Sequence, residues 1–193
     1  MITRDRVEEI LREIDVLQEG HFLLTSGRHS GQYMQCARIL EYPEYTAELS
    51  SIIFEAFRND NVDLVIGPAM GGVIFSYEVA RQLGVKNLFA EREDGKMTLR
   101  RGFTIPKGAR VLIAEDVITT GGSVREVMDI VKAHEAELVG VAILVDRSNG
   151  SIDFGCKLQA AYTTKVISYE AEECPICKEG KIELVKPGSR KIK

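Results

Sequence analysis

Four short apolar runs constrain this chain most: Asp63-Leu-Val-Ile-Gly67, Asn87-Leu-Phe-Ala-Glu91, Arg110-Val-Leu-Ile-Ala-Glu115 and Leu138-Val-Gly-Val-Ala-Ile-Leu-Val-Asp146. None alternates apolar with polar residues, so each predicts a strand covered on both faces, as strands of a parallel sheet are. Helical periodicity separates them at 72–83 and 123–134. Leu83-Gly84 supplies a stop for the first, and Val124, Val127, Met128 and Val131 share one face of the second. Two helices precede the sheet. Residues 4–18 align Val7, Ile10, Leu11, Ile14 and Leu17 and end at Gly20; residues 44–58 align Leu49, Ile52, Ile53, Ala56 and Phe57 after Pro43. His21 to Leu40 is polar and weakly periodic, which predicts a loop and short strands outside the main sheet. The series predicts an α/β fold with an open, mainly parallel sheet flanked by helices.

Each apolar run ends in a polar or glycine-rich segment: GPAMGG at 67–72, EREDGK at 91–96, EDVITTGGS at 115–123 and DRSNG at 146–150. In a parallel sheet these segments gather beyond the carboxyl ends of the strands, where open α/β sheets bind ligands.

The 193 residues suit one domain, and 45% hydrophobic residues supply its core. A formal charge of −4 argues against a chain whose main task is coating nucleic acid or an anionic membrane. Residues 178–193 carry a local +4 and read as a solvated basic tail, leaving −8 on the body. No apolar run reaches the length of a membrane span, and the N-terminal MITRDRVEEI lacks an apolar signal stretch, so a cytoplasmic location is expected. Cys174-Pro-Ile-Cys177 has zinc-knuckle spacing but is half a four-ligand site. With no second pair and no nearby histidine, it reads as a local disulfide or free thiols. Cys156 is a candidate neighbour in space, and a site shared across a dimer is a further option.

The densest chemistry lies in Glu115-Asp116-Val117-Ile118-Thr119-Thr120-Gly121-Gly122-Ser123. The segment leaves a buried strand through two carboxylates and enters a helix through hydroxyls and glycines. Unpaired amides at the helix start, helped by the helix dipole, make a cradle for a phosphate dianion. Like charges repel, so the carboxylates meet hydroxyl donors or a metal ion instead. A phosphate with a vicinal diol beside it is a ribose 5-phosphate. No GxxxxGK[ST] or GxGxxG string occurs, which sets aside the nucleotide P-loop and the dinucleotide fingerprint.

VLIAEDVITTGGS resembles the phosphoribosyl-diphosphate signature of the type I phosphoribosyltransferases. With Gly20-His-Phe-Leu-Leu-Thr-Ser-Gly-Arg-His-Ser30, Ile66-Gly-Pro-Ala-Met-Gly-Gly72 and Asp146-Arg147, the chain is similar over about residues 5–170 to the orotate phosphoribosyltransferases of that family. The resemblance implies transfer of a phosphoribosyl group from phosphoribosyl diphosphate to orotate, with Mg²⁺ carried by the diphosphate and no protein ligand holding it directly. It implies that Glu115 and Asp116 hold the ribose hydroxyls and act in catalysis. Val117, Ile118, Thr119, Thr120, Gly121, Gly122 and Ser123 bind the diphosphate substrate; Thr119 also touches orotate, and Arg147 pairs with the orotate carboxylate. A guanidinium fork matches a carboxylate. The alternative for Arg147 is a surface ion pair with Asp146 or a neighbour.

Residues 91–104, containing EREDGKMTLRRG, read as a flexible lid hinged at Gly95, with Arg92 and Lys96 as catalytic cations and Arg100 and Arg101 in reserve. The alternative is a solvated charged loop. Residues 20–40 with pieces of the C-terminus form a small hood, where Tyr33 and Met34 contact the base or pack in the core. The family also implies a homodimer with shared active sites, each lid serving its neighbour. Thr25 and Gly71 stand where many relatives carry lysine, and the lid lacks histidine, leaving Arg92, Lys96 and Arg28 as cations. Gly71 and Gly72 are candidates to present backbone amides to the diphosphate. His21 and His29 read as hydrogen-bonding residues. The competing readings are a purine phosphoribosyltransferase and a non-catalytic nucleic-acid-binding regulator on the same fold. The acidic body and the missing winged-helix segment argue against the latter.

Overall fold

The structure, a computed structural model, describes residues 2–24, 26–164 and 167–187. Helix α1 (Arg4–Glu13) is capped by the Thr3 hydroxyl, which accepts from the Arg6 amide. It buries Val7, Ile10 and Leu11 but stops earlier than its apolar stripe predicts. Asp15 turns to φ 52°, and the Val16 amide returns to the Leu11 carbonyl at 2.9 Å, a left-handed stop. Leu17, the last residue of the apparent stripe, opens strand β1 (Leu17–Leu23) and packs on the same core from there.

Strand β1 pairs antiparallel with β2 (His29–Met34), with a bulge between Glu19 and Phe22. Isolated bridges join Phe22 to Val185 and His29 to Tyr169, so the C-terminal segment lies along this two-stranded sheet. A 3-10 turn (Cys36–Glu41) leads into α2 (Pro43–Phe57), followed by β3 (Leu64–Pro68), α3 (Gly71–Leu83), β4 (Lys86–Glu93) and β5 (Lys96–Leu99). Strand β6 (Arg110–Ile118), α4 (Gly122–Ala133), β7 (Glu137–Asp146), β8 (Lys157–Thr163) and the short α5 (Pro175–Glu179) complete the order.

The main sheet runs β5-β4-β3-β6-β7-β8, parallel except for β5 at one edge. Edge strands β5 and β8 mix polar and apolar residues, so neither shows as an apolar run. Two cores cover the two faces. One joins α1, α2, α3 and the Met34–Ile39 stretch through Ile53, Phe57, Phe75 and Leu144. The other lies under α4 and joins Val124, Val127, Val131, Ile113 and Phe154. Strand order reverses between β3 and β6, and the loops after these two strands therefore flank one crevice.

Phe57 keys α2 to the sheet. It is wholly buried, and a Cβ on Gly140 would come within 2.7 Å of its ring, so β7 leaves room for it. Phe57→Ala is expected to cost ~3–5 kcal/mol of unfolding free energy, measured by urea denaturation with an unchanged m-value.

Candidate active site

Beyond β6 the backbone turns sharply at Gly121. This residue sits at φ 75°, and a Cβ there would lie 2.8 Å from the Phe154 ring, so both conformation and space require glycine. The first bond of α4 runs from the Arg125 amide to the Gly121 carbonyl (3.0 Å). The amides of Gly122, Ser123 and Val124 come before it and have no partner within the helix. No acidic residue occupies the first turn, so the positive end of the dipole is unopposed. The turn opens on a 220 Å³ cavity whose lining includes Arg92, Glu115, Thr119, Thr120, Ser123 and Glu126. A larger cavity of 640 Å³, lined by Asp63, Leu64, Lys86 and Pro106, sits at the amino ends of the strands, the wrong edge for a ligand in such a sheet.

The two carboxylates stand in different surroundings. Glu115 is 8% exposed, and desolvation, reinforced by the neighbouring Asp116 carboxylate, pushes it up to about 9. It therefore keeps its proton at neutral pH. Asp116 is half-buried and faces the β3 loop so closely that a Cβ on Gly71 would fall 2.0 Å from its Oδ2. The glycine at 71 thus makes room for Asp116. The Ala69–Met70 peptide in this loop is cis.

Arg147 follows β7, and its amide bonds the Ile118 carbonyl at 2.9 Å, which sets it beside the Thr119 turn. Its Nε is buried without a hydrogen-bond partner, and among the described residues it makes no ion pair. The ion pair with Asp146 does not form. Asp146 instead accepts the amides of Ser148 (2.7 Å) and Gly150 (3.0 Å), folding the 147–150 turn that presents the arginine. Sequence reasoning overlooked this positioning role, although an aspartate followed by Ser-Asn-Gly is a side-chain-to-backbone turn signal. The buried Cys36 thiol, pushed up to about 12 chiefly by desolvation, lies within electrostatic reach of both Arg147 and Asp116.

Segment 91–104 contains a β-hairpin, with Asp94 (φ 49°) and Gly95 (φ 84°) making its tight turn. Arg92 pairs with Glu126 at 2.8 Å and lines the phosphate-side cavity of its own chain. Lys96 is not brought there; it lies with Met97 beside Asp129 and Ile130 of α4. Arg100 and Arg101 pair with Glu93 (3.2 Å) and Glu91 (2.9 Å). Arg28, a reserve cation in the sequence, is taken up by the C-terminal segment: its Nε donates to Ser168 Oγ at 2.9 Å and it pairs with Glu170. Met34 is a core residue, and the Tyr33 hydroxyl donates to Gln35 at 3.1 Å. Thr25 and residues 188–193 of the basic tail lie outside the described residues.

The expectation that no histidine stands near Cys174 and Cys177 is overturned. His21 Nε2 is 3.5 Å from both sulfurs, and His29 Nδ1 is 3.2 Å from Cys177 Sγ. Histidines 148 to 156 positions away in sequence contact the cysteines because the C-terminal segment doubles back along β1 and β2. Both cysteines are free thiols, and Cys156 packs instead on the core beneath α4.

The raised Glu115 has a consequence for stability. Between the ordinary carboxylate range and about 9 the unfolded chain has released this proton while the folded chain retains it, so rising pH works against folding. Glu115→Gln is expected to match the parent near pH 5 and to exceed it near pH 8 by at least ~1 kcal/mol, roughly 2–4 °C in Tm, read by thermal melts of ligand-free protein.

Comparisons with known proteins bear on the family and the fold. A family model described as the phosphoribosyl transferase domain matches residues 36–153. An orotate phosphoribosyltransferase of Pelotomaculum thermopropionicum is 56% identical, covering 99% of this chain and 100% of its own. One from Caldanaerobacter subterraneus is 54% identical, covering 98% and 99%. A crystal structure of orotate phosphoribosyltransferase from Aeropyrum pernix superposes with a TM-score of 0.70 at 24% identity, covering 81% of this chain and 93% of its own, which supports the fold. The alternating elements, the glycine turn with its open helix amides at a strand-order reversal, and near-full-length relatives at this identity place the chain in the phosphoribosyltransferase family, in its orotate phosphoribosyltransferase branch.

Proposed function

We infer that the chain transfers the 5-phosphoribosyl group from phosphoribosyl diphosphate to orotate, giving orotidine 5′-monophosphate and pyrophosphate in pyrimidine biosynthesis. The observation that carries the base assignment is Arg147, a guanidinium without a carboxylate partner among the described residues, placed beside a phosphate-cradling turn. Orotate brings a carboxylate that such a fork pairs with; uracil, hypoxanthine and adenine bring none.

In this reading the amides of Gly122 and Ser123, with the hydroxyls of Thr119, Thr120 and Ser123, hold the 5′-phosphate. Asp116 accepts from a ribose hydroxyl. Protonated Glu115 donates a hydrogen bond to a neighbouring oxygen, a role open to it because burial holds its proton. Bond breaking at the anomeric carbon leaves the ribose oxocarbenium-like and the departing pyrophosphate more anionic. Arg92 is positioned to meet that charge once it exchanges Glu126 for the ligand. The loop amides at Gly71 and Gly72 are the nominees on the other side of the crevice. Thr119 touches both substrates.

Mg²⁺ fits this donor set as an ion carried by the substrate. One carboxylate, Asp116, with no cation partner among the described residues, faces the crevice, and Mg²⁺ characteristically takes one or two carboxylates together with substrate phosphates. When bound it neutralises charge on the leaving group.

Consumption of orotate, followed by its near-ultraviolet absorbance with phosphoribosyl diphosphate and Mg²⁺, tests the reading. Uracil, hypoxanthine and adenine should be inert in parallel reactions assayed by product separation. Arg147→Ala is expected to lower kcat/KM for orotate at least ~10²-fold while KM for phosphoribosyl diphosphate changes little. Turnover of a purine in place of orotate would overturn the base assignment and leave the phosphate cradle standing.

Lys96 lies outside the cavity of its own chain, which favours a homodimer with shared active sites in which the hairpin of one protomer serves the other. Mixing Lys96→Ala with Asp116→Asn protein should then recover up to roughly a quarter of the parental activity through heterodimers with one intact site. No recovery after verified subunit exchange would show that each site is completed by its own chain.

A further inference from the structure

The hood side of the molecule holds four side chains that neither the phosphate cradle nor the base contact uses. His21, His29, Cys174 and Cys177 each aim one ligand-type atom at a common point, and all four atoms lie within 4.8 Å of one another. We propose that these residues form a structural zinc site, Cys₂His₂, which clasps the C-terminal segment to the hairpin of β1 and β2.

Geometry supplies the first argument. Tetrahedral zinc with Zn–N near 2.0–2.1 Å and Zn–S near 2.3 Å sets ligand atoms about 3.3 Å apart for N···N and about 3.6 Å for N···S. His21 Nε2 to His29 Nδ1 is 3.1 Å; His21 Nε2 to each sulfur is 3.5 Å; His29 Nδ1 to Cys177 Sγ is 3.2 Å. These are four of the six edges of a tetrahedron of about that size, and all six stay within 4.8 Å. Hydrogen bonding alone does not account for them, since a neutral imidazole Nε2 has one in-plane lone pair and here meets three neighbours at once.

The supporting shell points the same way. His21 Nδ1 lies 3.2 Å from the Ile182 carbonyl oxygen, an acceptor only, so Nδ1 carries the hydrogen and Nε2 turns its lone pair toward the cluster. Leu23 pairs with His29 across the hairpin, and the bulge between Glu19 and Phe22 carries His21, whose ring centroid lies 5.1 Å from that of His29. The cysteines come from the knuckle that opens α5, where the Lys178 amide bonds the Cys174 carbonyl at 3.2 Å. His21, His29 and Cys174 are buried and Cys177 is exposed, so the site has one open side for metal entry. Two thiolates and two neutral imidazoles cancel the charge of a divalent ion, which limits the cost of burying it.

Backbone bridges and Arg28 tie the segment to the hairpin, but almost no apolar burial does. Between residues 167 and 187, Cys174 is the one fully buried side chain, while Ile167, Ile182 and Val185 stand more than half exposed. A stretch with so little core is the kind that a metal staple holds in place.

Metal analysis of untagged protein purified without chelator is expected to find about one zinc per chain, retained by Cys156→Ser and lost from Cys174→Ser/Cys177→Ser. Cobalt substitution of the parent should give the intense visible bands of a tetrahedral thiolate site, weakened in Cys177→Ser, whose exposed side chain leaves the core intact. Chelation should speed proteolysis within 167–187 and leave 36–153 protected. A parent chain that takes up no stoichiometric zinc or cobalt, or zinc that persists in the double cysteine variant, overturns the proposal. Each of these outcomes is independent of which base the enzyme transfers.

Discussion

The site depends on the reversal of strand order between β3 and β6. Adjacent parallel strands whose following helices pack on opposite faces leave an opening that neither helix covers, and here both bordering loops enter it. The fit is close: the Asp116 carboxylate fills the space that any side chain at position 71 would need. Glycine at 71 is therefore a steric partner of the acid on the neighbouring strand. A lysine there would have to displace it. Arg92 is the described cation that lines the cavity beyond β6.

Electrostatics in the crevice are unbalanced in a way that a ligand corrects. Among the described residues Arg147 has a buried Nε without an acceptor and Asp116 pairs with no cation, while burial holds the proton of Glu115. Each is a cost that a stability-optimised core would avoid. Together they form a template of opposite character to a molecule with a carboxylate at one end and hydroxyls in the middle. The amides of α4 continue the pattern with a site for a dianion at the far end. Folding energy from the two apolar cores on either side of the sheet offsets these mismatches.

The buried strands and the phosphate turn were legible in the sequence because both obey local rules. An apolar run such as Val111–Ala114 has no partner but another buried strand, and Thr-Thr-Gly-Gly-Ser before a helical stripe marks a turn with exposed amides. What could not be read depended on distant neighbours. The stripe of α1 ran into β1 because Leu17 faces the same core from a strand as it would from a helix. The edge strands β5 and β8 lack the apolar signature since their faces are only partly covered. Lys96 and Arg92 looked equivalent in a charged loop, yet a hairpin separates them, and only register decides which one reaches the cavity.

The cysteine knuckle shows the same limit from the other side. Metal ligands need proximity in space, and sequence spacing reports proximity only within one turn or hairpin. Cys174 and Cys177 satisfy that condition, as half a site; the other half comes from a hairpin near the opposite end of the chain. The bridges Phe22–Val185 and His29–Tyr169 close that distance through backbone pairing, a contact type that leaves no residue-specific trace. The same doubling back takes Arg28 out of the pool of phosphate-binding cations by engaging Ser168 and Glu170. Thus one C-terminal segment with almost no core of its own completes the histidine–cysteine cluster and also determines which arginines remain available to the substrates.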